Sequence, residues 1–390
     1  MNNIKPASRL DAVHEYYFSR KLKEVARLNA EGQDIISLAI GSPDQPPSPQ
    51  TIDKLCEVAH DPSAHGYQPT MGTMELRKAM ADFYHRWYGV EVDAASEVQP
   101  LIGSKEGILH ITLAFVNPGD EVLVPNPGYP TYTSLSKILG AKVVNYNLDE
   151  DNGWQPDFEE LEHRDLSRVK LMWTNYPNMP TGGDARMETY RKLVDFARRH
   201  DIVVVNDNPY SFILNEHPLS LLQVEGAKDC CIELNSMSKG YNMPGWRVGM
   251  CVSNPQFISW ILKIKSNIDS GTFRGLQLAA AEALTTNTEE WHREYNINVY
   301  RRRREIAERI MQALGCTYDD SQVGMFLWGK IADKYANAEQ LTERVLHEAR
   351  VFITPGFIFG SNGERYVRIS LCAQGDKMQE ALRRIGGLAW

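Results

Sequence analysis

"SMSKGYNMPGWRVGM", residues 236–250, sets one lysine, Lys239, among small and hydroxyl-bearing residues at the end of the apolar run "CCIEL" (230–234), with Arg247 following. A run of that kind reads as a buried strand, so the lysine stands where a charge is costly. Burial lowers an amine's pKa and leaves it neutral, and a neutral amine is a nucleophile. A surface turn that happens to carry a lysine is the competing reading of this stretch alone.

Runs of the same type lie upstream and downstream: "DEVLVP" (120–125), "KVVNYNL" (142–148), "KLMWTNYP" (170–177), "IVVVNDNP" (202–209) and "RVGMCVS" (247–253). Helical patterns such as 185–200 separate several of them. Near-continuous apolar strands alternating with helices predict an α/β fold, a mostly parallel sheet covered on both faces. Right-handed crossovers gather the strand ends along one crevice, where ligands bind. Before this region an amphipathic helix is predicted over 13–30. Beyond Thr288 the pattern changes to a long helix (288–314), "GMFLWGKI", a helix over 337–350, the strand-like "YVRISL" (366–371) and a last helix.

Composition narrows the function. The chain has 390 residues, 43% hydrophobic and 24% charged, with a formal net charge of −8. That acidity argues against nucleic-acid binding and anionic membranes. The basic run Arg301–Arg304 sits in an amphipathic pattern and reads as a solvated helix face. No signal peptide or membrane span is predicted. Six scattered cysteines without a CxxC pair suit a reducing cytoplasm, and the histidines show no ligand spacing, so no metal is predicted.

Polar residues at the strand ends carry the chemistry. "VVVNDNPY" ends on Asp207 and Tyr210, with a structural turn aspartate as the alternative. "LIGSKEGIL" offers Ser104 and Lys105 after Gly103 at a helix start, an anion-binding arrangement that many helix starts share. Tyr129 in "PNPGYP" offers a ring for stacking or simply for packing. An imine-forming lysine, an aspartate for a ring nitrogen, phosphate donors and a stacking ring are together the needs of pyridoxal 5′-phosphate.

With these residues in view, the chain resembles the fold-type I PLP-dependent aminotransferases of class I/II over essentially its full length. "AIGSPDQPPSP", "HGYQPTMGTMELRKAM", "GSKEG", "PNPGYPTY", "NYPNMPTG", "NDNPY", "SMSKGYNMPGWRVG" and "RYVRISL" occur in family order. "GSKEG" with "SKGYNMPGWR" looks most like the alanine and LL-diaminopimelate branch. The resemblance implies a seven-stranded, mostly parallel sheet sandwiched by helices (45–287) and a smaller α+β domain from 1–44 and 288–390. It also implies transfer of an α-amino group to a 2-oxo acid by a ping-pong aldimine/ketimine mechanism in a cytoplasmic homodimer. Lys239 would be the Schiff-base lysine, Asp207 the partner of the pyridine nitrogen and Tyr210 the donor to the ring's 3′-oxygen. Ser236, Ser238, Arg247, Ser104 and Lys105 would hold the phosphate, and Tyr129 would stack on the ring. Arg368 would grip the substrate carboxylate beside the Gly41 backbone, Phe326 would lie near the substrate side chain, and Tyr67 would reach the neighbouring subunit's phosphate.

In one place the pattern departs. Met179 stands where the family has an asparagine that donates to the 3′-oxygen, and methionine has no proton to donate. Tyr210 then serves alone, or Asn178 shifts in, or the cofactor's electronics differ. In the family, dicarboxylate users carry a second arginine from the partner subunit, and none is evident in "KIKSNIDSGTFRG" (263–275); Lys265 and Arg274 are the candidates there. Two other functions remain open at this stage. One is a PLP lyase on the same scaffold, of the carbon–sulfur β-lyase or aminocyclopropane-carboxylate-synthase type. The other is the sensor domain of a transcription regulator, against which stands the lack of a basic helix-turn-helix.

Overall fold

The structure is a computed structural model describing residues 4–12 and 17–390. Strand β1 (Ile36–Ser37) is followed by β2 (Val98–Leu101), β3 (Glu121–Asn126), β4 (Lys142–Asn147), β5 (Val169–Thr174), β6 (Val203–Asp207), β7 (Cys231–Ser236) and β8 (Gly249–Val252). Seven of these form one sheet, in the order β2-β8-β7-β6-β5-β3-β4, parallel except that β8 runs against both β7 and β2. The apolar runs become strands because both faces are buried. Val122, Val124, Leu171, Trp173, Val205, Ile232 and Leu234 point to one core, while Leu123, Met172, Val204 and Cys231 point to another, the alternation that a pleated strand imposes. β2 gives no such signal, because Pro100 interrupts it. As an edge strand it tolerates the missing donor.

This topology brings chemistry to one rim. The ends of β2, β5, β6 and β7 and the start of the reversed β8 meet there, with Leu101 and Ser236 both registered on Gly249. A second sheet comprises β9 (Thr317–Tyr318), β10 (Phe326–Lys330), β12 (Thr354–Pro355) and β13 (Tyr366–Ser370), and β11 (Val351–Phe352) pairs with β1. The chain before residue 44 is thus bound to the chain after 350.

Several expectations need correction. The helix predicted over 13–30 is seen as Tyr17–Ala30, and positions 13–16 lie outside the described residues. The long helix over 288–314 opens into a π-helical segment, Arg293–Asn298, before Val299–Ala313. The wider turn lets buried Asn296 donate to the Gly240 carbonyl at 2.9 Å, bracing the turn after Lys239. The basic run is not one solvated face: Arg301 and Arg302 are exposed, but Arg303 is buried and makes a two-pronged bond to Asp44, 2.9 Å on each prong. A helix position facing the core needs that carboxylate. Among the described residues no helix is long and apolar enough to cross a membrane.

Candidate active site

Lys239 lies in the short helix Met237–Gly240 that β7 runs into, capped by the Ser236 hydroxyl, which accepts the Ser238 N–H at 3.1 Å. Its ammonium reaches the Gly41 carbonyl. Burial holds its pKa below that of an ordinary lysine; Cys372 opposes this, and Arg247 and Arg368 add to it.

Asp207, the last residue of β6, is buried. The Tyr132 hydroxyl donates to its Oδ2 at 2.9 Å, and Tyr132 is itself stacked on Trp173 at 4.9 Å. Asn175, just past β5, donates to the Asp207 carbonyl at 2.6 Å. Oδ1 has no hydrogen-bond partner. Burial pushes the carboxyl up to about 6, against the hydrogen bond from Tyr132.

Between β2 and the helix Ser104–Phe115 the chain passes through Gly103 at φ 75°. The left-handed φ favours glycine there, and a Cβ would lie 2.2 Å from Arg247 Nη2 and displace that guanidinium. Arg247 bonds Ser238 Oγ at 3.4 Å and the Pro244 and Ile102 carbonyls at 3.0 and 3.4 Å. Lys105 stands 6.0 Å above the Tyr129 ring.

Arg368 lies on β13 between β12 and β10, its guanidinium sandwiched by Phe326 at 3.9 Å and Phe359 at 4.6 Å. It donates to the Ala39 carbonyl at 2.9 Å. Gly41 admits this packing, since a Cβ there would sit 2.4 Å from the Phe326 ring. Tyr210 meets Phe326 edge-on at 5.9 Å. Gly41, Ser104, Lys105, Tyr129, Asp207, Tyr210, Ser236, Ser238, Lys239, Arg247, Phe326 and Arg368 all line one chamber.

The model of the family "Aminotransferase class I and II" matches residues 33–385. The chain belongs to that family. An LL-diaminopimelate aminotransferase of Dehalococcoides mccartyi is 39% identical over 386 residues, 98% of this chain and 99% of that one. Another, from Moorella thermoacetica, is 41% identical over 384 residues, with 98% of each chain covered. The substrate-bound structure of BacF from Bacillus subtilis superposes with a TM-score of 0.92 at 35% identity, covering 99% of this chain and 98% of that one. The aminotransferase is PLP-dependent and transfers amino groups between amino acids and 2-oxo acids; these comparisons favour transamination over the lyase alternative. Its chamber fits that cofactor: the orphaned, buried Asp207 Oδ1 suits a cationic ring nitrogen, and the Gly103 turn with Arg247 suits a phosphate.

The departure at Met179 has a structural outcome in this aminotransferase. The thioether Sδ accepts from Arg368 Nη1 at 3.2 Å. Asn178 does not shift in, because its amide bonds Asn175 O at 3.2 Å and its oxygen accepts the Thr181 hydroxyl at 2.7 Å. Sequence reading missed Tyr132, Asn175 and Phe359. Tyr132 was within sight, being the last residue of "PNPGYPTY", but nothing local says that its hydroxyl meets Asp207.

Tyr67 lies outside the chamber and is 95% exposed. Arg274 stands 3.9 Å from Glu75, also away from the chamber. Lys265 is buried and bonds Glu106 at 2.6 Å and Asp269 at 2.8 Å. Glu106 also accepts the Ile102 N–H and meets His110 at 2.7 Å, so this cluster anchors the turn that carries Ser104. Glu106, His110 and Asp269 together could hold a metal ion by spacing, but the Lys265 ammonium already supplies the cation there.

Lys265→Met is expected to cost about 3 kcal/mol, because it strands two partly buried carboxylates. Burial by itself would raise Glu106; its partners overcome this and hold it at about 2. A depressed carboxylate contributes stability that is present above its usual 4.5 and lost as pH falls toward about 2. Denaturant titrations across acid pH should therefore show the stability gap between parent and variant narrowing as pH falls from about 4.5 toward about 2, where protonation removes the stranded charge.

Proposed function

We propose that Lys239 binds pyridoxal phosphate covalently and moves the proton during amino transfer, with the other chamber residues dividing the remaining tasks. The observation that carries this reading is a partly buried lysine, its pKa depressed by desolvation, in one chamber with a buried carboxylate whose Oδ1 has no partner. Bound pyridoxal phosphate supplies an electron sink for the substrate's Cα. Asp207 keeps the ring nitrogen protonated, since a carboxylate beside a base raises its pKa, and Tyr132 and Asn175 hold Asp207 in place. Tyr210 donates to the ring oxygen, and Tyr129 covers the ring. Ser104, Lys105, Ser236, Ser238 and Arg247 take the phosphate, with arginine's fork meeting two oxygens. Arg368 would grip the α-carboxylate beside Gly41, while the Lys239 amine, freed when the substrate amine takes its place, would take the proton from Cα as general base and deliver it to the cofactor's C4′ as general acid.

The same reading makes 1–44 and 288–390 the smaller domain beside a cofactor-binding domain of 45–287. It also makes the enzyme a homodimer in which Tyr67 serves the partner's phosphate site. Support comes from the exposure of Tyr67, Ile40 and Ile268, and from the bridge Gln68–Gly271 that fixes the segment next to Tyr67. A cytoplasmic location agrees with six free cysteines. The half-reaction tests the function. Enzyme mixed with amino donors and no acceptor should lose its visible cofactor band, and the band should return on adding a 2-oxo acid. Release of pyruvate and ammonia without an acceptor would instead make it a lyase.

Met179→Asn is expected to restore a donor to the ring oxygen. One hydrogen bond to that oxygen should lower the midpoint pH of the visible band by about one unit. An unchanged spectrophotometric titration would mean that residue 179 does not face the ring oxygen.

A further inference from the structure

We propose that Asn296 is a positioning residue for amino transfer: the π-helical turn Arg293–Asn298 presents it to the turns that follow Lys239 and Tyr210 and fixes both at once. The inference deepens the aminotransferase reading and rests on the roles given above to Lys239 and Tyr210.

Lys239 stands on a helix of only four residues, Met237–Gly240. Every carbonyl of so short a helix lies in its last turn and needs a partner from elsewhere. Those of Met237 and Lys239 accept the N–H groups of Met243 and Asn242, at 3.3 and 3.4 Å. The Gly240 carbonyl accepts from the Asn296 amide at 2.9 Å. The carbonyl of Asn296 in turn accepts the Leu214 N–H at 3.0 Å. Leu214 closes the turn that starts at Tyr210, whose own carbonyl accepts the Ile213 N–H at 3.0 Å. It sits at φ 54°, a left-handed conformation that leucine keeps only where its surroundings hold it. The Ile213 carbonyl accepts the Gly324 N–H at 2.7 Å, which carries the tie on toward β10 and Phe326. One residue therefore grips the lysine's turn with its side chain and the tyrosine's turn with its backbone.

His292 sets the orientation of the amide. Its Nδ1 lies 2.7 Å from Asn296 Nδ2, and the rings of Trp87, Phe212, Tyr241 and Trp291 surround it at 4.9–5.1 Å. Burial, with the Arg86 charge adding to it, holds the imidazole pKa down at about 3. A neutral ring accepts at Nδ1, so both amide protons of Asn296 are used, one on His292 and one on Gly240. One residue of register is ~100° of helix rotation, so the wide turn decides that position 296, and no neighbour, faces Gly240. Asn296 and His292 are 0% and 5% exposed within this one chain, so a second subunit neither reaches nor completes the arrangement.

Asn296→Leu keeps the shape of the side chain and removes its donor, while the backbone bond to Leu214 stays. PLP-loaded parent and variant are compared in single-turnover half-reactions, using the amino donor that the parent consumes fastest, ordinary and deuterated at Cα. The rate at saturating donor should fall ~10–100-fold, as it does when a reacting group is misplaced. The donor concentration at half-saturation should stay within about three-fold, since Arg368 is untouched. The deuterium isotope effect should rise, because proton transfer is the step that slows. Should Asn296→Leu fail to fold, His292→Phe keeps a ring among rings and strands one amide proton; it should lower the same rate ~3-fold or more, the scale of one hydrogen bond. A role confined to stability would lower the melting temperature and leave the saturated rate of the folded, PLP-loaded variant unchanged. That result, or a loss confined to donor affinity, would overturn the inference and leave the aminotransferase reading intact. A parent whose visible band no donor moves would take both down.

Discussion

Lys239→Ala is expected to lower the rate of amino transfer by at least ~10⁴-fold, the upper range for loss of a positioned acid–base group, because covalent attachment is lost with it. No other described amine is placed to replace it. Lys105 lies over Tyr129, and Lys265 is held by Glu106 and Asp269. The fold should survive, since the turn is set by the Ser236 cap and the Asn296 brace rather than by the lysine's own side chain. Circular dichroism should therefore match the parent while single-turnover kinetics do not. Variant activity within ten-fold of the parent's, at about the scale of a single hydrogen bond, would remove Lys239 from the chemistry.

Asp207→Asn should separate activity from stability. Opposite a cationic ring nitrogen the carboxylate forms a buried ion pair, and removing one partner costs about 3–5 kcal/mol, roughly 10²–10⁴-fold in rate. Prepared without cofactor, the protein should show the reverse sign in stability. Burial raises the Asp207 carboxyl from 3.8 to about 6. A carboxyl raised in the folded state binds more protons folded than unfolded, so stability falls as pH rises through that window. Above it the ionised Asp207 costs about 3 kcal/mol, a cost that neutral asparagine avoids while still accepting from Tyr132. The apoprotein variant should thus be more stable than the apoprotein parent at pH 7.5 and equal to it near pH 4. Its advantage should shrink or invert when both are loaded with PLP. Thermal unfolding of the four preparations reads all of this. An apoprotein variant less stable than its parent at pH 7.5 would show that Asp207 is not a buried charge awaiting a partner.

The large sheet was legible because both of its faces are covered, so its strands are written as apolar runs that end in the residues of the chamber. "VVVND" gives strand and carboxylate together, and "CCIELNSMSK" gives strand, cap and lysine. Partners that meet only through the tertiary fold were not legible. Tyr132 reaches Asp207 across 75 positions of sequence and Arg303 reaches Asp44 across 259. The π-helical turn at Arg293–Asn298 exists to point Asn296 inward, and periodicity alone reads through it. Lys265 looked like a candidate for the substrate because its segment is where a second arginine for a dicarboxylate would lie, yet the carboxylates of Glu106 and Asp269 draw it into the interior. Met179 was identified as a departure from the family, but its contact with Arg368 required coordinates.

Reduction of the PLP-loaded enzyme with borohydride, followed by peptide mass spectrometry, tests the central assignment most directly. The account predicts one modified peptide, containing Met237–Gly240, with the reduced cofactor's mass on Lys239. An unmodified Lys239, or an adduct confined to another lysine, would contradict it.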